Sequence, residues 1–237
     1  MAQPANEGSS HTPPPRLVVP AYFHPAAHPG DWEWLAEHAP RVRLVILNIH
    51  NGPGNGPEAP FREVAERLRG AGVPVIGYVD TNYGNRPASQ IMSELGHYLE
   101  WYEVNGVCLD QVATASARLA YYGALSAQVR RLGAEVVFFN HGMHPDEGYA
   151  RHADLLGTFE GPWHAYRRLQ VPPWTRAWPS EKFYHVVYSV PPEHHDHAFL
   201  LAVRRRAGGV YITDRSGVNP YDCLPAAGLE PVSPWLR

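Results

Sequence analysis

The stretch GVCLDQVAT, Gly106 to Thr114, runs through short apolar residues into a carboxylate and an amide side by side, Asp110 and Gln111. A short apolar run rich in β-branched residues, with no helical period, reads as a strand buried on both faces. Its polar end marks where the strand surfaces. The same pattern recurs along the chain in RLVVPAYF from Arg16, VRLVILNI from Val42, PVIGYVDT from Pro74, EVVFFNHG from Glu135, LLGTFEG from Leu155, FYHVVYSV from Phe183 and GVYITD from Gly209. Between these lie segments of helical period, among them FREVAERLRGAG, ASQIMSELGHYLEWYE, SARLAYYGALSAQVRRLG and EHHDHAFLLAVRRRAGG. In the first of them Phe61, Val64, Ala65 and Leu68 recur at helical spacing, and Gly70 and Gly72 supply the stop. Eight strand-helix units in about 250 residues predict a single-domain α/β chain folded as a (β/α)8 TIM barrel. A doubly wound open sheet is the alternative, but no G-x-G-x-x-G follows the first strand.

The chain has 237 residues, 44% of them hydrophobic and 18% charged, with a net charge of -3, which argues against disorder and against a polyanion as partner. No nucleic acid is expected. Residues 1–15, MAQPANEGSSHTPPP, read as a disordered leader ahead of a barrel over 16–237, because they hold no apolar core of a secretory signal. No run approaches the ~20 apolar residues of a membrane span, so no membrane partner is expected. As written the chain is expected in the cytoplasm, or outside the cell if a signal has been removed, and as a monomer. The two cysteines, Cys108 and Cys223, do not form a disulfide framework, and Cys108 reads as a buried strand thiol.

A barrel gathers its active site at the carboxyl ends of its strands. Those ends carry Tyr22; His50 and Asn51; Asp80, Tyr83 and Arg86; Asp110 and Gln111; Asn140; Glu160; Tyr188; and Asp214. Asp and Asn also cap helices and form turns, which accounts equally well for any one of them. Their convergence points to a site. Two carboxylates facing one cleft suggest glycoside hydrolysis, one protonating the leaving oxygen and the other attacking or activating water. Asp110 and Glu160 have the most apolar flanks and come from strands two apart. Gly157 and Gly161, on either side of GTFEG, read as leaving room for a ligand. Asp80 and Asp214 sit in ordinary turn sequences. A retaining separation of about 5 to 5.5 Å is expected, with an inverting one as the alternative.

Other motifs carry blander meanings. His194, His195 and His197 lack the i, i+4 pairing of a helical zinc motif and read as a solvated first turn. The glycines of GPGNG lack the Lys-Ser/Thr of a phosphate loop, and Arg204 to Arg206 fall where cations complement a helix C-terminus. No cofactor and no metal are expected.

Taken together, VPAYFHP, ILNIHNGPGNGP, VIGYVDTNYGNR, WYEVNGVCLDQ, VVFFNHG, DLLGTFEG and YITD resemble the spherulin-4-like proteins, the spherulation-specific family 4, from about Val18 to Tyr221. The resemblance implies a TIM-barrel endo-hydrolase of galactosamine-containing polysaccharides such as galactosaminogalactan, akin to the endo-α-1,4-polygalactosaminidases. It implies a metal-free glycosidase with Asp110 as nucleophile and Glu160 as general acid/base. Gln111 departs from the Asp-Glu pair usual there, and His50 and His141 stand where the family has no imidazole. An amide keeps the reach of Glu but neither ionises nor transfers a proton. The departure leaves open a carbohydrate-binding or repurposed barrel acting on a small metabolite. Strand alternation places Gln111 opposite Asp110, at the edge of a subsite.

Overall fold

In a computed structural model, residues 13–225 are described; most of the expected leader lies outside them. Eight parallel strands close into a barrel in chain order: β1 Arg16–Ala21, β2 Val42–Leu47, β3 Val75–Asp80, β4 Gly106–Asp110, β5 Val136–Asn140, β6 Leu155–Pro162, β7 Phe183–Tyr188 and β8 Gly209–Ile212. Each falls within or against its expected run, because a strand buried on both faces announces itself by an unbroken apolar stretch. Among the described residues the helices are α1 Pro29–Glu37, α2 Ala59–Gly70, α3 Ala88–Tyr102, α4 Leu119–Leu132, α5 Trp163–Tyr166 and α6 His195–Arg204. The (β/α)8 barrel is therefore present with one crossover reduced. Between β5 and β6 the chain makes only a 3₁₀ turn, Glu147–Arg151, where Pro145 and Gly148 break any helical pattern.

The helices cover the barrel with their apolar stripes, and one cluster draws on all eight strands and the faces of α1 to α4. A second cluster lies between β6 to β8 and the helices α5 and α6, around Phe159, Tyr166 and Phe199. Glycines in the strands set how closely the layers approach. A Cβ on Gly77 of β3 would stand 2.4 Å from the Tyr98 ring, so the ring lies flat on the bare backbone and its hydroxyl donates to the Leu47 carbonyl at 2.9 Å. At the seam that closes the barrel, β1 meets β8 over two paired positions, Arg16 with Gly209 and Leu17 with Val210.

Candidate active site

Strand register decides which side chains meet. Tyr78 of β3 is paired with Cys108 of β4, and Asp80 with Asp110, and side chains two residues apart share a face. Tyr78, Cys108 and Asp110 consequently lie on one face, and the Tyr78 hydroxyl donates to Asp110 Oδ2 at 2.8 Å. From the end of β5, Asn140 Nδ2 donates at 2.8 Å to Asp110 Oδ1 and at 2.8 Å to Glu160 Oε2. The amide orientation follows from its neighbours, since only the NH₂ end can face two carboxylates. Because both oxygens lie 2.8 Å from one nitrogen, they are separated by no more than twice that distance, 5.6 Å. The roughly 120° between two amide N–H bonds brings this close to ~5 Å. The other oxygen of Glu160, Oε1, accepts from the Tyr221 hydroxyl.

Three side chains thus give four N–H and O–H bonds to two carboxylates. Burial pushes the Asp110 carboxyl above its ordinary range, opposed by the bonds from Tyr78, the Gln111 backbone and Asn140, with the Asp80 charge adding to the rise. Burial likewise raises Glu160, opposed by Tyr221 and Asn140, and the Asp110 charge raises it further. The Tyr78 and Tyr221 hydroxyls are driven above the normal phenol range, chiefly by burial, and remain donors.

Asp110 and Glu160 open into one pocket of about 390 Å³, whose lining also includes Tyr83, Gln111, Asn140, His141 and Tyr188. Gln111 belongs to this lining, as expected of a residue at a subsite edge, though not by strand alternation. Its backbone is left-handed, with φ 49, and a residue in that region ends the pleat that would separate neighbours. Tyr83, also left-handed at φ 55, is 55% exposed at the rim. His141 is buried; its Nδ1 lies 3.2 and 3.1 Å from the carbonyls of Val112 and Ala113, which fixes the proton there, and burial lowers its pKa to about 4. It is a neutral imidazole.

The remaining expected residues stand outside the lining, each for a local reason. Tyr22 lies behind it, edge-on to Tyr78 and to Tyr221 with ring centres 5.5 Å away in both cases, so it wedges the two hydroxyl donors apart. His50 turns outward to Glu58 at 2.9 Å, and Asn51 occupies a left-handed turn position at φ 51. Asp80 Oδ1 accepts from the Asn82 amide at 2.6 Å, a turn-forming bond. Asp214 is exposed past β8. Arg86, expected to hold Asp80 or another carboxylate in a charge-assisted pair, holds the other, Glu94. It donates to the Asp80 carbonyl at 2.7 Å and forms a forked pair with the Glu94 carboxylate on α3. Arg86→Lys is expected to lose that fork and about 1 kcal/mol of stability, or ~2–4 °C in thermal unfolding of a chain this size; an unchanged melting curve would count against the assignment.

Gly157 has a role opposite to the one expected. A Cβ there would stand 2.1 Å from Asn140 Oδ1, so the missing side chain makes room for the bridging amide rather than for a ligand. Among the described residues no three His, Cys, Asp or Glu side chains gather to hold a metal ion. Both cysteines are free, and burial raises the Cys108 thiol well above its ordinary value, which leaves it without nucleophilic character.

In fold the chain is similar to Sph3 of Aspergillus clavatus, solved in complex with GalNAc: 23% identity, TM-score 0.79, over 92% of this chain and 95% of that one. A GH18 chitinase of Pseudoalteromonas aurantia shares the fold at 12% identity and TM-score 0.53, over 83% of this chain and 93% of its own. Spherulin-4 of Physarum polycephalum is 29% identical over 152 residues, 62% of this chain and 45% of that protein, so the chain spans less than half of that relative's length. The family model described as spherulation-specific family 4 matches residues 16–230. On that match, extending from the first strand past the last, the chain belongs to the spherulation-specific family 4.

Proposed function

We propose that this barrel is an endo-acting glycoside hydrolase that cleaves polymers of galactosamine or N-acetylgalactosamine by a two-carboxylate, retaining mechanism. The observation that carries the reading is the bridge from one Asn140 nitrogen to both carboxylates. It holds their nearest oxygens no more than 5.6 Å apart, which favours the shorter spacing at which one carboxylate attacks the sugar carbon directly. Asp110, held from behind by Tyr78 at 2.8 Å, is the nucleophile: its oxygen bonds to the anomeric carbon as the glycosidic C–O bond breaks. Glu160 gives its proton to the departing oxygen. In the second step it takes a proton from water, whose oxygen displaces Asp110 and releases the sugar.

The sugar class rests on family membership and on the GalNAc bound to Sph3, together with the chemistry of the pocket. Its lining holds two acids and no Lys or Arg, and Tyr83 and Tyr188 offer aromatic faces to a sugar ring. Gln111 tunes this field. With an amide in place of an acid, the site gives less to an ammonium and loses little toward an acetamide. On defined oligomers the wild-type protein is therefore expected to cleave N-acetylated or mixed chains better than fully deacetylated ones. Gln111→Glu is expected to shift the ratio of kcat/KM toward the cationic polymer by about tenfold, the effect of one charge-assisted bond. If only Gln111→Glu is active, the amide marks a barrel that binds carbohydrate without hydrolysing it.

A further inference from the structure

Tyr221 lies beyond the last strand, in the sequence VNPYDC, and has no part in the expected site. Its hydroxyl nevertheless meets Glu160 Oε1. The segment that delivers it is pinned at several points. Asn219 Nδ2 donates to the Tyr22 carbonyl at 3.3 Å, Tyr211 to the Cys223 carbonyl at 2.8 Å, and the Leu224 amide to Asp31 Oδ2 at 2.9 Å. Its ring is wedged edge-on against Tyr22 and Tyr211, with centres 5.5 and 5.8 Å away. Gly217, Val218 and Pro220 of the same segment form one wall of the pocket.

The two partners of Glu160 differ in kind. The Asn140 nitrogen can only donate, whereas a phenol can donate or, by rotating its O–H, accept. Glu160 must exist as carboxylic acid in the first half of the reaction and as carboxylate in the second. Asn140 can keep donating to Oε2 in both forms, so the change falls on Oε1, where the phenol can donate to the carboxylate and turn its O–H aside from the protonated carboxyl. We propose that Tyr221 is a positioning residue that governs the change of Glu160 between acid and base, donating to the carboxylate and yielding to the protonated carboxyl. The phenol keeps its own proton throughout. The inference rests on the glycosidase reading above for its catalytic meaning, though the coupling between the two groups stands on the contact itself.

Among the described residues the other ionisable groups around Glu160 include Asp110 and Cys108 from β4, Tyr22 after β1 and Tyr184 from β7, with His141, Tyr83 and Tyr188 in the same pocket lining. None of these donates to it. Removing the phenolic O–H strips the carboxylate form of one charge-assisted bond, so Glu160 will hold its proton to higher pH. For a general acid this moves the alkaline limb of kcat/KM upward. In Tyr221→Phe that limb is expected about one pH unit higher, with the deglycosylation step slowed so that a burst of first product precedes steady turnover. A residue that merely braced the fold would lower the amplitude and leave the limb where it was.

The test pairs the pH profile with a direct titration of Glu160, by carboxyl-labelled NMR assigned through Glu160→Gln, in wild type and Tyr221→Phe. Phenylalanine keeps the ring contacts, and a thermal melt verifies the fold. A raised midpoint with a raised limb supports the proposal; an unchanged midpoint overturns it, whatever the activity. A raised midpoint in a protein that cleaves no amino-sugar oligomer would keep the coupling and retire the glycosidase reading.

Discussion

Asp110→Asn should reduce turnover on amino-sugar oligomers by about 10⁴-fold or more, and Glu160→Gln by about 10² to 10⁴-fold, with KM changed little in either. On the proposed mechanism the first removes the attacking carboxylate, and the second removes a proton carrier whose absence a good leaving group can mask. An activated substrate such as an aryl glycoside should therefore rescue the first step of Glu160→Gln and leave Asp110→Asn inert. The same substitutions should stabilise the fold. Burial raises both carboxyls above their ordinary range, so the folded chain binds these protons more tightly than the unfolded one. Relative stability is then greatest below the unfolded value near ~4 and falls as pH rises through the folded value. Each neutral amide escapes that loss. We expect a gain on the order of 1 kcal/mol, or ~2–4 °C, near neutral pH, shrinking as the pH falls through the raised folded values and gone below ~4. Wild-type turnover in either variant would end the two-carboxylate mechanism.

Gly157→Ala should cripple the enzyme without touching substrate. The new methyl group would stand 2.1 Å from Asn140 Oδ1 and 3.1 Å from its Cγ, so the amide must swing out and release both carboxylates. The loss should fall in kcat, on the order of 10²-fold, the cost of a small misplacement in an oriented site. Asn140→Ala should lose a similar amount, and the double variant little more than either single, since both act through one bridge. Measured kcat losses that multiply in the double variant would show two independent effects and rule out the shared bridge.

The barrel was legible because strands buried on both faces are written as unbroken apolar runs, and Asp110 and Glu160 were legible because each ends such a run in a carboxylate. Tyr78 was not, since a tyrosine within VIGYVD reads as core until β3 and β4 are put in register. Tyr221 was hidden differently, in a turn sequence that no strand pattern assigns to the pocket. Gln111 lines the pocket as a subsite-edge residue should, but the alternation argument behind that placement assumed an extended backbone, and its φ of 49 is a local departure without a glycine to announce it. Arg86 and Asp80 follow one strand end together, yet their contact runs through a carbonyl, which proximity in sequence cannot tell from an ion pair.

The short seam between β1 and β8 joins the two most distant strands in the chain, through Arg16 with Gly209 and Leu17 with Val210. Contacts of such long sequence separation are costly in loop entropy and are made late in folding. A ribosome releases β4, β5 and β6, with Asp110, Asn140 and Glu160, well before β8 and the Tyr221 segment emerge. During synthesis the paired acids therefore exist without their last hydroxyl, and the two-carboxylate centre matures only when the ends of the barrel meet.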